Sequence, residues 1–399
     1  MRAIPALALV LLTFGGYLSG TLARLGVGVS LVLVGIALCG ALLAIKVVSL
    51  RADVRPLLPL LLLSLSFGYG IFTADPSTSY STGKLTLLVT LTPLAYIAGA
   101  WLADTEDRRQ WLAWGVAAWA VAVALAQRMF PNEALASIGR LAGEDLTYQA
   151  VGRAVGAGVV VFALIALSVR PRRLYRLAAV AATVILLVVA VGAGSRGPLL
   201  GAALAVALIV VRTRGGALLV AGAVAILWYL LPTLERRFFP ERLFGLDDNS
   251  AVARSESAQR VIEHIQAHPL GTGIGSLQHV VVSSTIDGLV YPHNVLLEIA
   301  GEAGLFAALV FVGVVAWAIW RLWRRGETLG DKLTLALLVY FLVNALVSGD
   351  INSNRGLWLF LGVAVAAAFC LPPRDQVTRS SGPSLSPPRT PSQRVATGT

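Results

Sequence analysis

Long apolar runs broken by short polar segments dominate the chain. Runs at 4–20, 25–45, 56–72, 84–103, 111–130, 149–169, 177–194, 197–211, 215–232, 293–320, 333–348 and 355–371 each approach or exceed the length of a bilayer-crossing helix. A hydrocarbon core of roughly 30 Å needs about 20 apolar residues per helix. The pattern therefore predicts an all-α polytopic membrane protein with about twelve transmembrane helices. The seventh and eighth runs are separated only by the turn Gly194-Ser195-Arg196-Gly197-Pro198. Residues 1–232 would carry nine spans and 293–371 the last three. Between them, 233–292 forms a loop with aromatics, a predicted helix and glycine turns, which marks it as folded. The tail 372–399, rich in Pro, Ser, Thr and Arg, reads as disordered. No transporter-type internal repeat is visible.

Composition agrees with lipid as the main solvent. Residues of the AVILMFWYC set make up 57% of the 399, and 13% are charged. Soluble chains carry about 25% charged residues. The net charge of +11 would suggest nucleic acid in a soluble protein. Here the positions of the charges explain it without nucleic acid. With the N-terminus in the cytoplasm, the cytoplasmic segments (1–3, 46–55, 104–110, 170–176, 212–214, 321–332 and the tail) hold 20 of the 32 Lys and Arg. That asymmetry sets the orientation, with both termini cytoplasmic and the 233–292 loop outside. Arg170-Pro171-Arg172-Arg173 and Arg321-Leu322-Trp323-Arg324-Arg325 are such anchors. Arg2 before an apolar stretch also fits a signal peptide, whose removal would leave eleven spans. Cys39 and Cys370 sit in apolar runs and read as small hydrophobes.

All four histidines, His264, His268, His279 and His293, lie in the external loop or at its end. His264 and His268 have an i, i+4 ligand spacing. Ile265 stands where a metalloprotease has Glu, and no third ligand is evident, so no metal site is supported. His293, in Tyr291-Pro292-His293-Asn294, precedes a helix whose dipole disfavours the imidazolium. It reads equally as a proton acceptor or as an interfacial cap. Glu298 and Glu302 share one helix face below the surface, as functional groups or as partners of a buried arginine. Arg196 between glycines suits a phosphate, or snorkels to the interface. Arg254 and Arg260 lie on a helix ending at His268-Pro269. The Gly271-Thr272-Gly273-Ile274-Gly275 stretch follows no strand and reads as a flexible turn.

Three stretches resemble the O-antigen ligase and polymerase superfamily. Arg254 followed by His268-Pro269-Leu270-Gly271-Thr272-Gly273-Ile274-Gly275 resembles one motif. Pro292-His293-Asn294 with Leu297, Glu298, Glu302 and Gly304 resembles a second, and Gly194-Ser195-Arg196-Gly197 an earlier arginine motif. They occur in the family's order within 190–310. The resemblance implies a GT-C type glycosyltransferase of the bacterial inner membrane with its site facing the periplasm. Its donor would be an undecaprenyl diphosphate-linked glycan, and its acceptor lipid A-core for a ligase or another lipid-linked repeat for a polymerase. The ligase is the reading preferred here. A transporter and a non-catalytic scaffold are the rivals from other classes.

On this resemblance His293 is the general base, and Arg196 and Arg254 hold the diphosphate. Arg260, Asn294, Glu298, Glu302 and His268 are substrate-side candidates. Arginines would carry the charge that a metal carries elsewhere, so no cofactor is expected, in keeping with the lack of an Asp-x-Asp motif. The prediction is that His293→Ala loses transfer while inserting normally into the membrane. A variant that kept wild-type turnover in a transfer assay would overturn the base assignment.

Overall fold

The computed structural model describes residues 3–50, 52–131, 148–168, 173–213, 215–222, 249–281 and 290–370. Its helices are α1 (Ala3–Phe14), α2 (Ser19–Arg24), α3 (Leu31–Val48), α4 (Leu57–Phe72), α5 (Ser79–Val89), α6 (Leu91–Leu102), α7 (Glu106–Met129), α8 (Tyr148–Leu167), α9 (Arg173–Gly192), α10 (Arg196–Val211), α11 (Asn249–Ala267), α12 (Val295–Glu302), α13 (Leu305–Arg325), α14 (Leu329–Val347) and α15 (Arg355–Cys370). No strand occurs among the described residues. Among the described residues, seven helices or continuous helix pairs are long and apolar enough to cross a membrane, and four shorter apolar helices accompany them. The chain is a polytopic membrane protein.

The runs and the helices differ in three places, the first being the 4–20 run, where a 3-10 turn over Gly15–Leu18 separates α1 from α2. The 84–103 run is part of a longer element, α5–α6, which starts at Ser79 and breaks at Thr90. The single span expected over 293–320 is two helices. Gly304, at φ 96°, ends α12 and starts α13, a conformation open to glycine but strained for a side chain. The 215–232 span is described only to 222. Residues 233–248, the Arg170-Pro171-Arg172 run and the 372–399 tail lie outside the described residues.

Helix starts follow from local chemistry. The hydroxyls of Thr78, Thr105 and Thr328 accept from the amides of Ser81, Arg108 and Asp331 and cap α5, α7 and α14. At one end of the bundle the basic anchors meet their partners. Lys46 pairs with Asp104 at 2.5 Å, Arg109 with Asp331 at 2.8 Å, and Arg212 donates to the Gly326 carbonyl at 3.0 Å. Segments with the expected cytoplasmic charge are thus gathered at one end, and the 249–304 region lies at the other.

The core is centred on α15, almost wholly buried, with α6 and α14 beside it and α8 packed on α14. α3 and α9 are peripheral and present apolar side chains outward, as lipid-facing helices do. Phe14 of α1 stacks on Phe341, which stacks on Phe360 at 5.4 Å, so the N-terminal helix is part of the core. α6 and α15 touch backbone to backbone. A Cβ at Gly99 would lie 2.4 Å from the Leu359 carbonyl, and one at Gly362 would lie 2.1 Å from the Tyr96 carbonyl. Small residues let membrane helices approach this closely. Gly362→Ala should therefore force the pair apart and destabilise by about 1–3 kcal/mol. A drop in the melting temperature of the detergent-solubilised protein checks this.

Candidate functional site

The site forms at the end of the bundle opposite the paired anchors, around the turn between α14 and α15. Arg254 of α11 donates to the Val347 carbonyl at 3.3 Å. Gly197, beside Arg196, packs on the Val347 side chain, so the start of α10 arrives at the same point. The turn preceding it is made by Gly194 at φ 68°. Arg153 of α8 is buried, and its guanidinium lies against Gly349. Ser348 donates to the Gln149 side chain at 2.8 Å, and the Tyr340 hydroxyl donates to the Arg153 carbonyl at 2.7 Å. Arg254 and Arg153, from helices far apart in sequence, converge on residues 347–349, and the start of α10, which carries Arg196, packs on the same turn.

His293 faces the same group. It is half-buried, in a left-handed backbone conformation at φ 54°, with the Tyr291 ring 4.5 Å away. A non-glycine residue at positive φ is uncommon, and such strain concentrates at functional positions. Asn294 is the N-cap of α12, its side chain accepting from the amides of Leu296 at 3.0 Å and Leu297 at 3.2 Å. This fixes the residue before it. The buried Nδ1 of His293 has no hydrogen-bond partner among the described residues. Burial, then the charges of Arg254 and Arg153, bring the imidazole down to about 4, against the opposing pull of Asp350. The ring is therefore neutral at physiological pH. Burial, with Asp350 nearby, also raises the Tyr291 phenol above its usual range.

Glu298 and Glu302 have a different partner from those the sequence suggested. Among the described residues their ion-pair partner is a lysine and not an arginine. The Lys84 ammonium of α5 lies 2.5 Å from Glu298 Oε1 and 2.6 Å from Glu302 Oε1, and all three side chains are at most 2% exposed. Sealed in this way, the carboxylates fasten α12 to α5.

The glycine stretch is also different from its reading as a flexible turn. Gly271, Gly273 and Gly275 all have positive φ, and a Cβ on any of them would collide with Glu302, Thr73 or Ser81. The amides of Thr272 and Gly273 donate to the carbonyls of Gly301 and Glu302, and Ile274 donates to Gly70. The stretch caps the C-terminus of α12 and fastens it to α4. His264 Nε2 is bonded to Thr272 Oγ1 at 2.9 Å, and the His268 ring stacks on His264 at 4.6 Å. His268 and Arg260 are exposed on or just beyond α11. Their rings and guanidinium are not drawn into the arginine–histidine group by any contact described here.

Of the residues singled out in the sequence, His293 and Arg254 lie near one another, and Gly197 brings the start of α10, with Arg196, to the turn that Arg254 contacts. Arg153, Asp350 and Lys84 were missed. For Arg153 the signal was present: an ionisable residue inside an apolar span, where charge is expensive and usually functional.

Comparison with known proteins agrees with the motifs. The family model for O-antigen ligase matches residues 181–312, which contain Arg196, Arg254 and His293. A curated relative, the Teichuronic acid biosynthesis protein TuaE of Bacillus subtilis (strain 168), is 29% identical over 146 residues. The match takes in 33% of this chain and 30% of the relative, so the chain spans under a third of that protein's length.

Removing one of the two cations beside His293 lowers the cost of charging the ring. In Arg153→Gln the imidazole should titrate above its wild-type value of about 4. NMR of histidine-labelled protein would show this shift, and an unmoved titration would separate Arg153 from His293.

Proposed function

We propose, from the chain's membership of the O-antigen ligase and polymerase superfamily, that it transfers a glycan from undecaprenyl diphosphate to lipid A-core at the periplasmic face of the bacterial inner membrane. The observation that carries this reading is a neutral, half-buried histidine facing arginines from separate helices. It combines a proton acceptor with a cationic surface for a diphosphate. The fold would be of GT-C type.

In the proposed reaction His293 takes the proton of the acceptor hydroxyl. The acceptor oxygen attacks the anomeric carbon, the bond from that carbon to the diphosphate oxygen breaks, and the anomeric centre inverts. Undecaprenyl diphosphate leaves as an anion, and the imidazolium returns its proton to solvent. Arg196, Arg254 and Arg153 stabilise the charge gathering on the leaving group. Losing one such contact commonly costs about 10²–10³ in rate. The arginines also repel a proton from His293 in the free protein. A bound diphosphate offsets their charge, so the base strengthens when the donor is in place.

An apolar groove of about 500 Å³ runs between α11 and α12–α13, lined by Ile262, Ile265, Leu296, Leu297, Leu309 and Val312. It begins beside the Arg254-bearing helix and continues along a membrane-crossing one. This path suits the hydrocarbon of a lipid-linked donor whose head is at the arginines.

Transfer onto a second lipid-linked repeat, as in a polymerase, is the alternative. The likeness to a teichuronic acid biosynthesis protein favours it. Deleting the gene and resolving lipopolysaccharide and carrier-linked glycan on gels distinguishes the two. A ligase leaves bare lipid A-core with long polymer on the carrier. A polymerase leaves core bearing one repeat unit. An unchanged ladder would overturn both for this polymer.

A further inference from the structure

Lys84 is 218 residues from Glu302 in sequence and belongs to no motif that suggested the site. It nevertheless touches both halves of the site. Its ammonium sits between Glu298 and Glu302, on the helix that His293 introduces. Its backbone carbonyl accepts from the Asn352 side chain at 2.7 Å, and Asn352 also accepts from Thr92. Asn352 lies in the turn after α14, the turn that receives Arg254 at Val347 and Arg153 at Gly349. The Tyr80 ring, 5.5 Å away, closes the remaining side of the ammonium.

The geometry points to Lys84 as a positioning residue: it joins the helix aiming His293 to the turn that gathers the arginines, and so fixes the distance between base and leaving-group site. This inference rests on the transferase reading for its kinetic consequence, though the coupling itself is a property of the fold. Several features make the link rigid. α12 is only eight residues long and is bounded by Asn294 at its start and Gly304 at its end. So short a helix keeps its place through tertiary contacts, not its own propensity. The glycine stretch fastens its C-terminal carbonyls, and the lysine fastens its side. Removal of the ammonium leaves two buried carboxyls facing each other. That pushes α12 away from α5 and turns the residue at its N-terminus.

The test compares Lys84→Met, Lys84→Arg and a triple variant, Lys84→Met/Glu298→Leu/Glu302→Met. The triple variant removes every buried charge and keeps an apolar fill, so it remains folded where the single Met variant does not. Two readouts are taken in the full-length detergent-solubilised protein. One is steady-state transfer with the lipid-linked donor. The other is peptide-resolved carbethoxylation of histidines by diethyl pyrocarbonate, with exposed His268 as internal reference.

Misplacing a catalytic group by about 1 Å can cost about 10²-fold in rate. The Met and triple variants should accordingly lose turnover by about tenfold or more, with donor KM within roughly twofold, a loss confined to the reacting step. The carbethoxylation rate of His293 should change relative to His268, and Lys84→Arg should restore both values. A folded triple variant with wild-type turnover and wild-type His293 reactivity would overturn the inference. If reactivity shifts in a protein with no transfer activity at all, the positioning stands and the transferase reading fails.

Discussion

Two carboxylates and an ammonium are enclosed where water does not reach, and the candidate site depends on that enclosure. Ionised groups in such surroundings are tolerated only when paired, and removing one partner of a buried pair commonly destabilises by about 3–5 kcal/mol. Lys84 meets that demand for Glu298 and Glu302. The short helix carrying the acids therefore has one place to sit, and with it Asn294 and His293. The glycine stretch 271–275 fits the same helix from the other end, and its conformation is set by the carbonyls it must approach. A loop that looks soft in sequence is in this way one of the more constrained parts of the molecule.

Around this anchor the charges are arranged asymmetrically. Cations come from α8 and α11, while the histidine beside them stays uncharged. Electrostatic repulsion of this kind is what a bound anion would relieve. Asp350 limits the repulsion and keeps the imidazole from an even lower value. The opposite end of the bundle uses the same residue types differently. There, basic groups are matched by Asp104, Asp331 and backbone carbonyls, and serve to fasten helices together.

Much of this was legible in the sequence. Hydropathy located most of the membrane helices, and the resemblance of three stretches to a known family pointed to Arg254 and His293, which lie near one another. What escaped shares a physical cause. Lys84 and Arg153 each stand in an apolar run, where a window average dilutes a single charge. Asp350 follows a serine and a glycine and reads as an ordinary turn residue. The breaks at Thr90 and Gly304 leave the apolar character of their runs unchanged, so only backbone geometry reveals them. Glu298 and Glu302 were recognised as unusual, but their partner was unreachable because the contact spans more than half the chain.

That long reach has a consequence for the newborn protein. The turn at 347–352 receives Arg254, Arg153 and, through Asn352, Lys84, all of which precede it in the chain. Until the ribosome has made that turn, the arginines lack their common anchor and Lys84 lacks its second contact. The order of synthesis thus acts as a safeguard. A partly made chain already in the bilayer cannot assemble the arginine–histidine group before this turn has been synthesised.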